Sequence, residues 1–299
     1  MESKGGKLVL IGGAQRSGTT LLQTLLANAL DTPVLPEAHI LCDLMASFKR
    51  AKDAPKKTGY FYASAENLLD FFRACAERHI ADIENRVGDA QALVLKDPNF
   101  VQFDEEAADM LPQAIRIVCL RDPRDIAASF LRIGQRETQG EAGKYRRRDL
   151  HFIGKKIVDS YGRLAERRSP SMHFIRYEEL TERPKRTLQA LASDAGLALS
   201  PDRIDKPVWL EAEARHDDAW ISALEERTPS TESVGVYRTV MSPREIALIE
   251  QICGSVMDFA GYERSSFPAS RAMDVPTKLA RAIVNRIRRG YWSYRARFP

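Results

Sequence analysis

The sequence predicts an α/β fold, a central parallel sheet flanked by helices. Three observations carry that expectation. Short apolar runs alternate with stretches of helical periodicity, the pattern of β–α–β units. The first run, Leu8 to Ile11, passes at once into a glycine-bounded turn and then a helix. Polar and basic residues (Arg16, Lys96, Arg121, Tyr177) recur just after the apolar runs, and ligands of parallel sheets bind at those C-terminal strand ends.

Leu8 to Ile11 is short and holds a valine and an isoleucine, which suits a buried parallel strand. Gly12, Gly13 and Gly18 permit a tight turn. Leu21, Leu22, Leu25, Leu26 and Ala29 follow at helical spacing. A strand, a glycine turn and a helix in that order form an anion site, because the first amides of the helix point at the ligand and the dipole favours negative charge. Gly13 to Thr20 has the frame of a Walker A loop, yet Thr19 stands where the nucleotide-triphosphatase lysine belongs. The cation is displaced to Arg16, inside the turn.

Residues 31–39 contain two prolines and are expected to be irregular or extended, returning across the sheet's edge. Residues 40–87 read as helical, with a break at Pro55 and Gly59. The basic patch Lys49 to Lys57 within them reads as a solvated loop. Ala92 to Leu95 and Ile115 to Leu120 are the second and third strands. Asp122 can cap the next helix, and Pro123 suits its first position. Residues 134–148 read as a mobile loop, 149–168 as a helix, and His173 to Tyr177 as the fourth strand. A helix follows Pro184, and residues 198–240 are irregular. Pro243 to Ala260 reads as one helix, with Ser242 its cap and Gly261 its stop.

The chain has 299 residues, a formal net charge of +4, 44% hydrophobic and 29% charged residues, which suits a soluble globular protein. The charge is too small to argue for nucleic acid. No apolar run reaches membrane-spanning length, and the first strand follows the N-terminus too closely for a signal peptide. Cys42, Cys75, Cys119 and Cys253 form no C-x-x-C pair, so reduced thiols in a cytoplasm are expected. Cys119 lies in an apolar run and reads as core. The five histidines show no metal spacing, and no metal is expected. The expected division is a domain at 1–265 and a basic amphipathic tail at 266–299. Residues 276–299 hold seven basic residues and no acidic one, with Leu279, Ile283, Ile287 and Tyr291 recurring every four. Such a helix can lie on the inner face of a membrane, on an acidic partner, or on its own domain.

The motifs resemble those of a known family. Arg16-Ser17-Gly18-Thr19-Thr20 resembles the 5′-phosphosulfate loop of sulfotransferases that use 3′-phosphoadenosine 5′-phosphosulfate (PAPS). Arg121 to Ser129 resembles their 3′-phosphate motif, an arginine followed eight residues later by a serine. Arg176-Tyr177-Glu178-Glu179-Leu180 resembles the stretch whose tyrosine contacts the nucleotide. The likeness runs from residue 7 to about 262 and is nearest to the glycan and protein-tyrosine types. It implies the P-loop-like sulfotransferase fold, PAPS as co-substrate and no metal.

The resemblance also implies roles. Arg16, Ser17, Gly18, Thr19 and Thr20 would bind the 5′ end. Arg121 and Ser129 would hold the 3′-phosphate, and Tyr177 the nucleotide. Ser233 (with Ser230 competing) and Arg238 stand where relatives close over the cofactor. Glu37, 21 residues after Arg16, is the expected base, as in several relatives, with His39 the alternative. Lys96 resembles the lysine near the transferred sulfuryl group, a task that Arg16 can share. The implied reaction is in-line attack of an acceptor hydroxyl on sulfur. A carbohydrate or glycolipid is the favoured acceptor, with a small-molecule or tyrosine hydroxyl as the alternative. A P-loop kinase or NTPase is the competing class, but the loop lacks its lysine. A non-catalytic binding module is the third.

Overall fold

The structure, a computed structural model, describes residues 6–88, 90–136, 142–166, 172–204 and 229–265. The predicted tail helix at 276–299 lies outside them, as does much of the irregular stretch at 198–240. Four strands form one parallel sheet: β1 (Lys7–Gly13), β2 (Ala92–Lys96), β3 (Ile115–Leu120) and β4 (Met172–Arg176). Their order is β2-β1-β3-β4, with Val9 opposite both Val94 and Ile115 and Leu120 opposite Arg176. The two central strands therefore end side by side, and the turn after β1 rises at the middle of the sheet's C-terminal edge.

Helices cover both faces. After β1 come α1 (Thr19–Leu30), α2 (His39–Lys52), the single turn α3 (Pro55–Thr58) and α4 (Ala65–Val87). A 3-10 turn, Pro98–Phe103, leads into α5 (Asp104–Met110). Beyond β3 lie α6 (Pro123–Arg136) and α7 (Leu150–Glu166). Beyond β4 lie α8 (Tyr177–Glu182), α9 (Pro184–Ala195), α10 (Tyr237–Val240), α11 (Pro243–Ile252) and α12 (Gly254–Ala260). Because side chains alternate along a strand, Val9 and Ile11 pack with Leu22, Leu25 and Leu26 of α1 and with α9. Leu10 faces the opposite side and joins Leu41, Met45 and Phe72 of α2 and α4. Val118 and Leu120 pack with α6, α7 and α11. Met1–Arg264 is one compact unit.

Three local expectations need correction. The basic patch at 49–57 is not a loop: Lys49, Arg50 and Lys52 lie on α2, Lys56 and Lys57 lie on α3, and Lys49 pairs with the buried Glu106. Residues 134–148 are not one open loop. α6 continues to Arg136, and Ala142–Arg147 form a 3-10 helix. Tyr145 is fully buried, its ring stacked on Phe130 at 4.6 Å, and that aromatic burial holds the segment against α6. Residues 243–260 are two helices rather than one, divided at Cys253. α11 begins with the full capping box, Ser242 with Glu245.

Candidate active site

The turn between β1 and α1 is built by close approach. A Cβ at Gly13 would lie 2.7 Å from the Cys119 carbonyl, so only glycine lets the turn sit against β3. Gly18 is left-handed (φ 98°), and a Cβ there would stand 2.3 Å from the Tyr177 ring. Gly18 provides no side-chain cap, and the first turn of α1 has no acidic residue. The first amides of α1 therefore meet no side-chain cap and no acidic residue of their own turn. Below them, burial pushes the Cys119 thiol up to about 12, so it is a core thiol and not a nucleophile.

Two clusters flank the turn. On the β2 side, Lys96 is buried and donates to Glu37 Oε1 at 2.7 Å and to Thr20 Oγ1 at 3.4 Å. Glu37 is placed by backbone pairing: it bridges β2 at Lys96, and the Ala38 amide donates to the Lys96 carbonyl at 2.9 Å. The segment after α1 therefore does cross the sheet's edge. His39, at the start of α2, has Nδ1 2.8 Å from Asp97 Oδ2 and Nε2 3.5 Å from Glu37 Oε2. Asp97 is fully buried and also accepts from the Asn99 amide. Donor atoms of Glu37, His39 and Asp97 lie within 4.8 Å of one another, a grouping that histidine spacing in the sequence does not reveal. The Lys96 ammonium already compensates Glu37 there.

On the β3 side, Arg121 donates to the carbonyls of Arg16 (2.8 Å) and Ser233 (2.7 Å), and its guanidinium lies 4.2 Å from the Tyr177 ring. Arg16 Nε donates to Ser129 Oγ at 3.1 Å. This changes one expectation. The Arg16 side chain, carried on a left-handed residue (φ 72°), reaches Ser129 beside Arg121, while Lys96 is the cation at Thr20. Ser233 enters through its backbone carbonyl. Arg238 is exposed, its guanidinium 4.6 Å from the Tyr237 ring. Ser17 and Thr19 are buried in the turn.

Sequence reasoning gave Asp125 no role and weighed Asp97 only as a weak stand-in for the Walker B aspartate of an NTPase. Asp125 is buried and accepts from the amides of Gly235 (2.7 Å) and Tyr237 (3.0 Å), which ties the Ser233 segment to α6. Burial pushes its carboxyl above the usual range, opposed by Arg121 and those two amides. One local signal was its place in the first turn of the helix that follows a strand-end arginine. The contact of Asp97 with His39 had none, since that partner lies 58 residues away.

The fold and this edge define a class. The family model described as the sulfotransferase family matches residues 9–201, and the chain belongs to that family. It is a sulfotransferase. No curated protein matches it in sequence. Among solved structures, it is similar to the sulfotransferase domain from the curacin biosynthetic pathway (TM-score 0.55, 18% identity, 87% of this chain and 99% of that one). It is also similar to the sulfotransferase domain from the Synechococcus PCC 7002 olefin synthase (0.51, 15%, 85% and 97%). A third likeness is to sulfotransferase STF9 from Mycobacterium avium (0.50, 15%, 87% and 78%). At these identities the likeness is one of fold.

Proposed function

We propose that the chain moves the sulfuryl group of PAPS to an acceptor hydroxyl of a carbohydrate or glycolipid, with Glu37 taking the hydroxyl proton. The observation that carries this reading is the placement of two cationic clusters on either side of an uncapped helix N-terminus. A nucleotide anionic at both ends needs two such places. The first amides of α1, with Thr19 and Thr20, would hold the 5′ end. Arg121, Arg16 and Ser129 would hold the 3′-phosphate, and Tyr177 the base. PAPS supplies the sulfuryl group, and its 5′-phosphate is the leaving group.

The residues of the chain divide the work. Lys96 stands beside Thr20, where negative charge grows on the leaving oxygen, and stabilises it. As the ammonium turns to that charge, Glu37 is released from its 2.7 Å ion pair and becomes a free carboxylate. Glu37 then accepts the proton as the acceptor oxygen bonds to sulfur and the sulfur–oxygen bond to phosphate breaks. Ile40, 61% exposed and next to His39 in sequence, offers an apolar contact. The exposed bases Lys144, Arg146 and Arg147 suit an anionic saccharide.

The test is transfer of labelled sulfate from PAPS across glycan, glycolipid, phenol, peptide and small-molecule acceptors, with Glu37→Gln, His39→Ala and Lys96→Met alongside the native chain. The expected outcome is a glycan or glycolipid product, with kcat lowered about 100- to 1,000-fold in Glu37→Gln and Lys96→Met. Transfer that survives Glu37→Gln and falls with His39→Ala would move the base to His39.

A further inference from the structure

Of the six exposed large hydrophobic residues among the described residues, Tyr60 (89% exposed) and Phe61 (84%) share one corner turn, and Phe71 (47%) packs on Tyr62, the next residue. Tyr60 and Phe61 form the turn between α3 and α4. Their backbone is fixed. The amides of Phe61 and Tyr62 both donate to the Thr58 carbonyl, and Thr58 Oγ1 ties back to Ala51 and Ala54. Tyr62 is the anchor, half-buried with its ring 5.7 Å from Phe71. An ordered turn therefore holds two aromatic rings out in water. Next to them, Arg50, Lys56 and Lys57 are exposed on α2 and α3. Asp53, Glu66 and Asp70 are the exposed carboxylates of the corner, and Asp70 faces Arg73 at 4.0 Å. Lys52 is turned to Asp109.

We propose that this corner docks on an anionic lipid surface, with Tyr60 and Phe61 entering at headgroup depth and Arg50, Lys56 and Lys57 facing lipid phosphates. Aromatic rings flanked by bases suit that interface. The other occupants fit less well. The rings stand on a convex turn, whereas small-ligand sites are concave. A two-fold contact between copies would bring Lys56 and Lys57 towards their own counterparts. The corner lies at the end of α2 opposite Glu37, and thirteen residues of helical rise put those ends about 20 Å apart. Docking there leaves the catalytic edge free.

The experiment is co-sedimentation of the full chain with vesicles of phosphatidylcholine alone or mixed with phosphatidylglycerol, at low and high salt. It compares the native chain with Tyr60→Ser/Phe61→Ser and Lys56→Ser/Lys57→Ser. All four positions are exposed, and circular dichroism confirms folding. The expected result is binding to the anionic vesicles only, weakened about tenfold or more by the aromatic pair and by the lysine pair. Salt should weaken it as well. Binding unchanged in both variants overturns the proposal. So does an absence of vesicle binding, including the case where concentration-dependent self-association is lost in the aromatic variant, which assigns the corner to a second copy. Sulfate transfer plays no part in this readout, so it stands or falls apart from the catalytic reading.

Discussion

Arg121 and Arg124 are three residues apart in one motif, Arg-Asp-Pro-Arg, and both are buried. Their surroundings are opposite. Arg124 is neutralised: it binds Asp122 through Nε and Nη2 and Glu250 at 2.7 Å, and lies over the Tyr237 ring. Those carboxylates outweigh burial and raise its pKa further. Arg121 is held by two carbonyls and a ring, and among the described residues no carboxylate bonds to it. Among those residues Arg121 is hydrogen-bonded only to neutral groups, and the Asp125 carboxylate acts on it through space without bonding to it, so on the proposed reading its N–H groups can turn to a ligand. Arg124, paired with carboxylates, is part of the frame. On the proposed reading, the pair separates binding from architecture within a single turn of chain.

That contrast breaks most sharply at Arg124. Arg124→Met leaves Asp122 and Glu250 buried without their cation, and urea unfolding should show a loss of about 3–5 kcal/mol. Arg121→Met should lose little stability but weaken adenosine 3′,5′-bisphosphate by about 10- to 100-fold, the worth of a charge-assisted contact, read by calorimetry. If both variants unfold equally early and bind equally poorly, the division is wrong. The smallest effect concerns α11, the helix that carries Glu250. Burial raises the Glu245 pKa, but hydrogen bonds from Ser242 and Arg148 outweigh it and lower it below its ordinary 4.5. Because the folded value is depressed, this stability is present above pH 4.5 and is lost as pH falls through the folded value. Ser242→Ala should cost about 1 kcal/mol at neutral pH. It should flatten the fall in stability below pH 4.5 only in part, because the backbone amide of residue 242 and Arg148 still bond Glu245, measured by denaturant melts across that range.

What the sequence made legible was local. Four strands, the glycine turn, the Asp122 cap and the Ser242 start of α11 are each set by residues within a few positions of one another. The family motifs likewise sit in continuous stretches. What it hid depends on distant partners. Nothing near Arg121 or Arg124 tells that Glu250, 126 residues on, neutralises one of them. The Lys96–Glu37 pair joins two segments 59 residues apart, so each reads alone as a free side chain. Residues 142–147 looked like loop because of their glycine and arginine, and the burial of Tyr145 against Phe130 is a tertiary fact.

The central claim is that this edge holds a nucleotide charged at both ends, with Arg121 at the second anion site. Calorimetric titration of the native chain with adenosine 3′,5′-bisphosphate, and with ATP plus magnesium, tests it most directly. The account predicts tight binding of the bisphosphate, weak binding of ATP at any magnesium level, and loss of that preference in Arg121→Met. Tight, magnesium-dependent ATP binding with none of the bisphosphate would contradict it.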